Sequence, residues 1–190
     1  MLTILLYALN WFLILILFVV LVLLIIWMVT GYRAKVPFVP VPDSILKEIY
    51  NLLEIKDDSV VYDLGCGDGR VLFYSARLTP KARYIGIENV AFPLILARVR
   101  AWWYKKSTGT TIEILNQDFF HKDLSDATHV FTYLYPNVMD DLLQKLDREL
   151  KPGTKLVSVT FKFTQKQPVK EFDFKRSKYK LARKIYVYEF

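Results

Sequence analysis

The chain is predicted to fold as an α/β protein, with a mostly parallel sheet that carries helices on both faces and one membrane-spanning helix in front. Three observations predict this. Short apolar strands alternate with longer helical stretches, a glycine-rich turn follows the first strand, and residues 1–30 contain no Asp, Glu, Lys or Arg. We expect a transmembrane anchor at 1–30, a Pro-rich linker at 31–42 and a globular domain at 43–190.

The apolar run at 4–29 predicts the membrane anchor, since only Asn10 in it is clearly polar. Such a helix is roughly 39 Å long, more than the ~30 Å hydrocarbon core of a bilayer. A cleaved signal peptide is the alternative, but the basic start and the small-residue cleavage site that it requires are missing. Arg33 and Lys35 follow the run, so the positive-inside rule predicts a single-pass protein with its N-terminus outside and its domain in the cytoplasm.

The domain is predicted to contain seven strands. They are expected at 60–64, 84–87, 112–115, 129–134, 155–163, 171–175 and 184–189, with helices at 69–78, 91–106 and 139–150 and a first helix capped by Asp43 or Ser44. No long helix separates the last two strands. We therefore expect a C-terminal β-hairpin that completes the sheet.

The turn at 63–69 reads Asp-Leu-Gly-Cys-Gly-Asp-Gly and leads from the first strand into a helix. Its glycines allow positive φ and let a ligand approach the backbone closely. A dinucleotide would place its pyrophosphate here, where Asp63 and Asp68 would repel it. S-adenosylmethionine (SAM) has no phosphate, and its ammonium and sulfonium groups are attracted by acids. We therefore predict that SAM is the cofactor and that the residues binding it include Asp63, Gly65, Cys66, Gly67 and Gly69.

Further cofactor contacts are predicted at the ends of the next two strands. Glu88 ends the second strand, where a carboxylate can accept hydrogen bonds from both ribose hydroxyls, although a plain surface glutamate is the alternative. After the third strand, Asp118 can accept from the adenine amino group and Phe119 can line the adenine face. Cys66 is interpreted as a small residue between glycines rather than a catalytic thiol. His121 and His129 form no metal-ligand pattern, so no metal is expected.

Several segments together resemble a known family. The motif at 63–70 is that of class I SAM-dependent methyltransferases. The N-terminal span, Pro-Phe-Val-Pro at 37–40, Ala-Arg-Val-Arg-Ala-Trp at 97–102 and Tyr-Pro at 135–136 are similar to membrane-anchored lysine N-methyltransferases. That family is related to the mitochondrial enzymes that modify the ADP/ATP translocase and the ATP synthase c subunit. The resemblance implies a Rossmann-like methyltransferase fold and methylation of a lysine on a membrane or membrane-adjacent protein.

Methyl transfer to lysine requires a neutral amine, and the end of the fourth strand offers two phenols to orient it. Tyr133 and Tyr135 are the candidate catalytic residues, with simple packing of both rings as the alternative. Two other functions stay open. One is methylation of a small or lipid-like acceptor, and the other is a catalytically silent SAM-binding module that acts through interactions alone.

The expected partners are a lipid bilayer and a lysine-bearing protein substrate. Residues 162–190 carry nine Lys or Arg and three acidic side chains. Beside a membrane segment, this basic stretch favours lipid headgroups or a membrane-embedded partner, and nucleic acid is not expected. A solvated basic face without any partner is the alternative.

Overall fold

The structure is a computed structural model that describes residues 2–33, 39–174 and 183–190. The chain divides into two units, Met1–Pro37 and Phe38–Phe190. Part of the predicted linker, including Lys35 and Pro37, lies outside the described residues, as does the end of the strand predicted at 171–175.

The described part of the N-terminal unit is one long helix, α1 (Leu2–Arg33). Its segment Thr3–Ile25 has a mean hydropathy of 3.1 and no buried residue. By length and composition this helix can cross a membrane, a property that it shares with signal sequences.

The globular unit is built on a single seven-stranded sheet. Its strands are β1 (Val60–Leu64), β2 (Arg83–Ile87), β3 (Ile112–Leu115), β4 (His129–Thr132), β5 (Lys155–Val159), β6 (Lys170–Asp173) and β7 (Lys184–Glu189). They lie in the order β3-β2-β1-β4-β5-β7-β6. The first five strands are parallel, and β7 runs antiparallel between β5 and β6. The predicted mostly parallel sheet with a C-terminal hairpin is confirmed.

Helices cover both faces of the sheet. On one face, α2 (Leu46–Leu53), α3 (Arg70–Leu78) and α4 (Ala91–Thr108) share an apolar core with the strands. On the other face, α5 (Pro136–Glu149) packs over a second core through residues such as Met139, Leu142 and Leu146. Burial on both faces explains why the central strands read as nearly continuous apolar runs.

The cap predicted for the first helix of the domain is wrong. A short 3-10 turn, Asp43–Ile45, precedes α2, and neither this turn nor α2 has a side-chain cap at its N-terminus. The Asp43 carboxylate instead lies 3.2 Å from the Arg70 guanidinium, which also donates a 2.8 Å hydrogen bond to the Val41 carbonyl. The chain entering the domain is thus attached to the start of α3.

Two strands end earlier than predicted. β4 stops at Thr132 because Pro136 occupies the first turn of α5, where its missing N–H costs nothing. β5 stops at Val159 because Thr160 adopts a φ of +73°, which no extended strand contains. Residues 133–135 and 160–163 therefore form loops at the carboxyl end of the sheet.

Candidate functional site

The strand order reverses between β1 and β4, and this position defines the expected ligand crevice. In open α/β sheets, ligands bind outside the carboxyl ends of the strands at such a switch point. β1 ends there at Leu64 and leads directly into the glycine turn.

The backbone of the glycine turn is held against the ends of β2 and β4. The N–H groups of Gly65 and Cys66 donate to the Ile87 carbonyl, at 2.9 and 3.0 Å. Gly65 has a φ of +73°, and a Cβ placed on it would lie 2.9 Å from Leu134 Cδ2. Any larger residue is therefore strained by the backbone conformation and would also displace the Leu134 side chain.

Gly69 forms the junction between the turn and α3. It adopts a left-handed conformation with φ +75°, and a Cβ on it would meet the Phe73 ring at 2.6 Å. This close approach lets α3 begin immediately after the turn, so that its N-terminus faces the crevice.

Glu88 links the end of β2 to the glycine turn. Its Oε2 accepts a 3.0 Å hydrogen bond from the Gly67 N–H, and its Oε1 accepts one of 2.8 Å from the Val90 N–H. Each carboxylate oxygen keeps a second lone pair for another donor. The sequence did not predict this structural role, which is compatible with binding a ribose.

Asp63 is the buried acid of the site, with 2% of its surface exposed. Within the described ranges, no group donates a hydrogen bond to its carboxyl and no cation pairs with it. Burial, and then the nearby charges of Glu88 and Asp68, raise the pKa of the Asp63 carboxyl well above its usual range. A cation bound in the crevice would relieve this unfavourable charge.

Asp68 does not supply the free negative charge that the sequence predicted. Its carboxylate lies 2.7 Å from the Arg70 guanidinium and 2.8 Å from that of Arg100. Burial alone would raise the pKa of Asp68. The hydrogen bond and the charge of Arg70, together with the charge of Arg100, instead hold this pKa below its usual range. Among the described residues, the acids beside the turn that have no cationic partner are therefore Asp63 and Glu88.

Cys66 fills space beneath the turn. A Cβ placed on Gly86 of β2 would lie only 2.8 Å from the Cys66 sulfur, which shows how tightly the two residues pack. Burial, followed by the charge of Asp63, raises the pKa of the Cys66 thiol well above its usual range. The thiol therefore remains protonated at neutral pH, consistent with a packing role.

Asp118 and Phe119 stand at the end of β3, on the far side of β2. Asp118 Oδ1 accepts a 2.9 Å hydrogen bond from the Phe120 N–H and so caps a 3-10 turn, Phe119–His121. The Phe119 ring is half-buried against the second core. The other oxygen of Asp118 accepts no hydrogen bond within the described part of the chain.

Tyr133 and Tyr135 lie in the loop that links β4 to α5, next to Leu134 and hence to the glycine turn. Tyr133 forms a side-chain hydrogen bond with Thr160, and burial raises the pKa of its phenol. The Tyr135 ring stacks on Phe161, with centroids 5.9 Å apart and planes 27° from parallel. The sequence did not indicate that Thr160 and Phe161 contact these tyrosines, because the turn after β5 depends on the positive φ of Thr160.

Across the described residues, no group of three or more His, Cys, Asp or Glu side chains is arranged to hold a metal ion. A mostly parallel seven-stranded sheet with a glycine turn at its switch point is the fold of a SAM-dependent methyltransferase. The chain belongs to the family described as the ANTKMT methyltransferase domain, which it matches over residues 63–170.

Individual relatives agree with this assignment. The chain is 35% identical over 133 residues to a protein-lysine N-methyltransferase of Saccharolobus islandicus, which covers 69% of this chain and 80% of that protein. It is 30% identical over 139 residues to the adenine nucleotide translocase lysine N-methyltransferase of Mus musculus, covering 72% of this chain and 58% of the mouse protein. The chain thus spans a little over half the length of that mouse relative.

A solved structure is similar over most of the domain. The RNA methyltransferase from Salinibacter ruber in complex with S-adenosyl-L-homocysteine has a TM-score of 0.71 and 31% sequence identity, covering 80% of this chain and 93% of that one. The predictions of a methyltransferase with a Rossmann-like fold, of SAM as its cofactor and of a resemblance to lysine N-methyltransferases are confirmed.

Proposed function

We propose that this protein is a membrane-anchored protein-lysine N-methyltransferase, which transfers the methyl group of SAM to a lysine on a membrane or membrane-adjacent protein. The observation that carries the proposal is the 35% identity to a protein-lysine N-methyltransferase over 80% of that protein's length. The anchor at 1–30, the linker at 31–42, the domain at 43–190 and the cytoplasmic orientation are parts of the same proposal. The anchor is supported by the apolar helix Thr3–Ile25. The orientation is supported by Arg33 and Lys35, which follow the apolar run.

The cofactor site is proposed to use the residues predicted from the sequence. They are Asp63, Gly65, Cys66, Gly67, Gly69, Glu88, Asp118 and Phe119. SAM supplies an electrophilic methyl group on a sulfonium. The buried Asp63 carboxyl, which has no cation beside it in the described part of the chain, provides a counter-charge, and the free lone pairs of Glu88 can accept hydroxyl donors.

The acceptor end of the site must provide a neutral amine. With a reference pKa of about 10.4, only about one lysine in 2,500 is neutral at pH 7. The attack forms a nitrogen–carbon bond to the methyl group and breaks the carbon–sulfur bond, while the proton of the former ammonium goes to water. Tyr133 and Tyr135 lie at the end of β4, where their hydroxyls can hold the amine in line with this bond.

Replacing Tyr133 or Tyr135 by Phe is expected to lower turnover by about tenfold or more, because the amine loses an oriented hydrogen-bond partner. SAM affinity should stay unchanged, since neither phenol is assigned to the cofactor. Tyr74→Phe, in α3 and in edge contact with Tyr50, is the matched control. Full turnover in both Phe variants would remove the catalytic assignment and leave packing as the role of these rings.

The test of the acceptor uses the full chain, radiolabelled SAM and membranes from a strain that lacks this protein. We expect label in a protein band that survives delipidation and RNase treatment, and in methyl-lysine after acid hydrolysis. Label extracted into organic solvent would instead favour the second candidate, a lipid-like acceptor, which a membrane anchor serves equally well. Label lost with RNase would indicate an RNA acceptor, the class of acceptor for which the similar Salinibacter ruber methyltransferase is named.

Two controls separate a wrong acceptor from an inactive preparation. SAM binding, measured by calorimetry on the same sample, shows whether the cofactor site is intact. Membranes pretreated with acetic anhydride, which converts lysine amines into non-nucleophilic amides, should lose the label if lysine is the acceptor. SAM binding without label in any fraction would contradict the proposal and favour an interaction module.

A further inference from the structure

The side of α4 that faces away from the sheet is apolar. Six large side chains on it are 36–58% exposed: Phe92, Ile95, Leu96, Val99, Trp102 and Trp103. They recur every three or four residues and so form one continuous surface along the helix, which we call the α4 stripe. Leu94 and Ala97, on the opposite side, are buried, and the helix contacts β3 of the sheet. Folding of the domain therefore buries only one of the two apolar faces of α4 and leaves the other exposed.

Cationic side chains accompany the α4 stripe. Arg98 and Lys105 are exposed beside it, and no acidic residue occurs in Ala91–Thr108. At its C-terminal end, the ammonium of Lys106 lies 5.3 Å from the Trp102 ring centroid and 5.6 Å from that of Trp103. Exposed Trp, Phe and aliphatic residues flanked by Lys and Arg are the composition of helices that lie in a membrane interface.

We infer that the α4 stripe binds the surface of a bilayer that contains anionic lipids. The aromatic and aliphatic side chains enter the boundary between headgroups and acyl chains, while Arg98, Lys105 and Lys106 pair with lipid phosphates. This contact is separate from α1, which spans the bilayer in the proposed function but contributes no residue to the stripe.

Charge complementarity favours lipid over a second copy of the chain. Two α4 stripes packed face to face would bring their cations together with no acid on either helix to offset them. An anionic bilayer supplies the opposite charge and the apolar layer in one surface. In the proposed function, the N-terminal helix anchors the same chain in a membrane, so an anionic lipid surface is available to the domain.

The α4 stripe is coupled to the cofactor site through Arg100. This residue, on the same helix, forms the 2.8 Å ion pair with Asp68 and donates a 3.2 Å hydrogen bond to the Asp68 carbonyl. The helix also begins three residues after Glu88. Lipid binding through α4 would therefore hold the glycine turn at the bilayer surface, where lysines of membrane-adjacent proteins are presented.

Binding of the α4 stripe to lipid is tested by measuring tryptophan fluorescence in the full chain. The background variant Trp11→Phe/Trp27→Phe leaves Trp102 and Trp103 as its only tryptophans. It is reconstituted into vesicles of phosphatidylcholine and phosphatidylglycerol whose acyl chains are either plain or brominated. We expect brominated chains to remove most of the emission, because bromine quenches only rings that it contacts. In vesicles of phosphatidylcholine alone, the quenching should be weaker.

Ile95→Ser/Val99→Ser, added to the same background, is the matched variant. Both side chains face solvent, so the domain should fold and bind SAM as before, while bromine quenching is largely lost. Equal emission in plain and brominated anionic vesicles would overturn the inference. Such insensitivity, combined with protection from acrylamide in water, would show that a protein surface covers the stripe instead of lipid.

Discussion

Replacing Asp63 by Asn is expected to weaken SAM binding by roughly 10- to 100-fold while raising the melting temperature of the ligand-free protein. The binding loss follows because the amide carries no charge to attract the ammonium and sulfonium of SAM. The stability gain follows because the variant no longer buries a carboxylate that lacks a cationic partner among the described residues. Calorimetry and thermal denaturation measure the two effects.

The difference in stability between Asp63→Asn and wild type is expected to depend on pH. The pKa of Asp63 is raised in the folded protein, so the folded state holds its proton to higher pH than the unfolded state. Wild-type stability therefore falls as pH rises from the unfolded pKa, about 3.9, toward the folded one, and changes no further above it. The stability advantage of Asn should grow over this window and be absent below it.

The affinity for SAM should also depend on the ionisation of Asp63. A cation beside Asp63 favours its charged form, so SAM binding releases a proton and its affinity rises with pH until Asp63 is ionised in the free protein. Calorimetry in buffers of different ionisation enthalpy detects this proton, and Asp63→Asn should abolish it. Unchanged SAM affinity in the variant would contradict the placement of SAM beside Asp63.

Replacing Glu88 by Ala is expected to damage both the cofactor site and the fold. The Gly67 and Val90 N–H groups lose their acceptor, at a cost of about 2 kcal/mol, which lowers the melting temperature by roughly 4–8 °C. SAM affinity should fall by roughly tenfold or more, because the turn loses the hydrogen bond from Gly67 and the ribose hydroxyls lose an acceptor. Thermal denaturation and calorimetry measure these changes.

Two comparison variants make the Glu88 result specific. Glu113→Ala, on the exposed side of β3, should leave SAM affinity unchanged, because its carboxylate lies 3.7 Å from Arg83 in a surface ion pair. Glu88→Gln keeps one carbonyl oxygen, so its melting temperature should lie between those of wild type and Glu88→Ala. If Glu88→Ala bound SAM with wild-type affinity, the ribose role would be excluded.

Local patterns in the sequence predicted most of the fold. The strand before Asp63, the glycine turn and the helix after it involve contacts over only a few residues, so their periodicity and glycine spacing were sufficient. The C-terminal hairpin was predicted because no long helical pattern separates the last two strands. The two strand ends were missed because they depend on Pro136 and on the positive φ of Thr160.

Parts of the site could not be predicted from the sequence, because they depend on contacts between segments that are distant along the chain. Asp68 was predicted to place negative charge at the turn, but Arg100, on a different helix, pairs with it. Tyr133 was a candidate without a known partner, and the hydrogen bond with Thr160 comes from the loop after a neighbouring strand. The apolar residues of α4 likewise gave no indication in sequence of which face the sheet would bury.

By itself, the sequence determined the class of protein, because the glycine turn, the acid ending β2 and the charge-free N-terminal run are contiguous segments whose chemistry is local. The tertiary structure decided which charges of that turn are neutralised and which apolar face of α4 remains exposed. Both depend on packing between α4, the glycine turn and the sheet, which brings together side chains such as Asp68 and Arg100 that are far apart in the chain. A local sequence pattern encodes neither the ion pairs nor the burial that arise between residues so far apart in the chain.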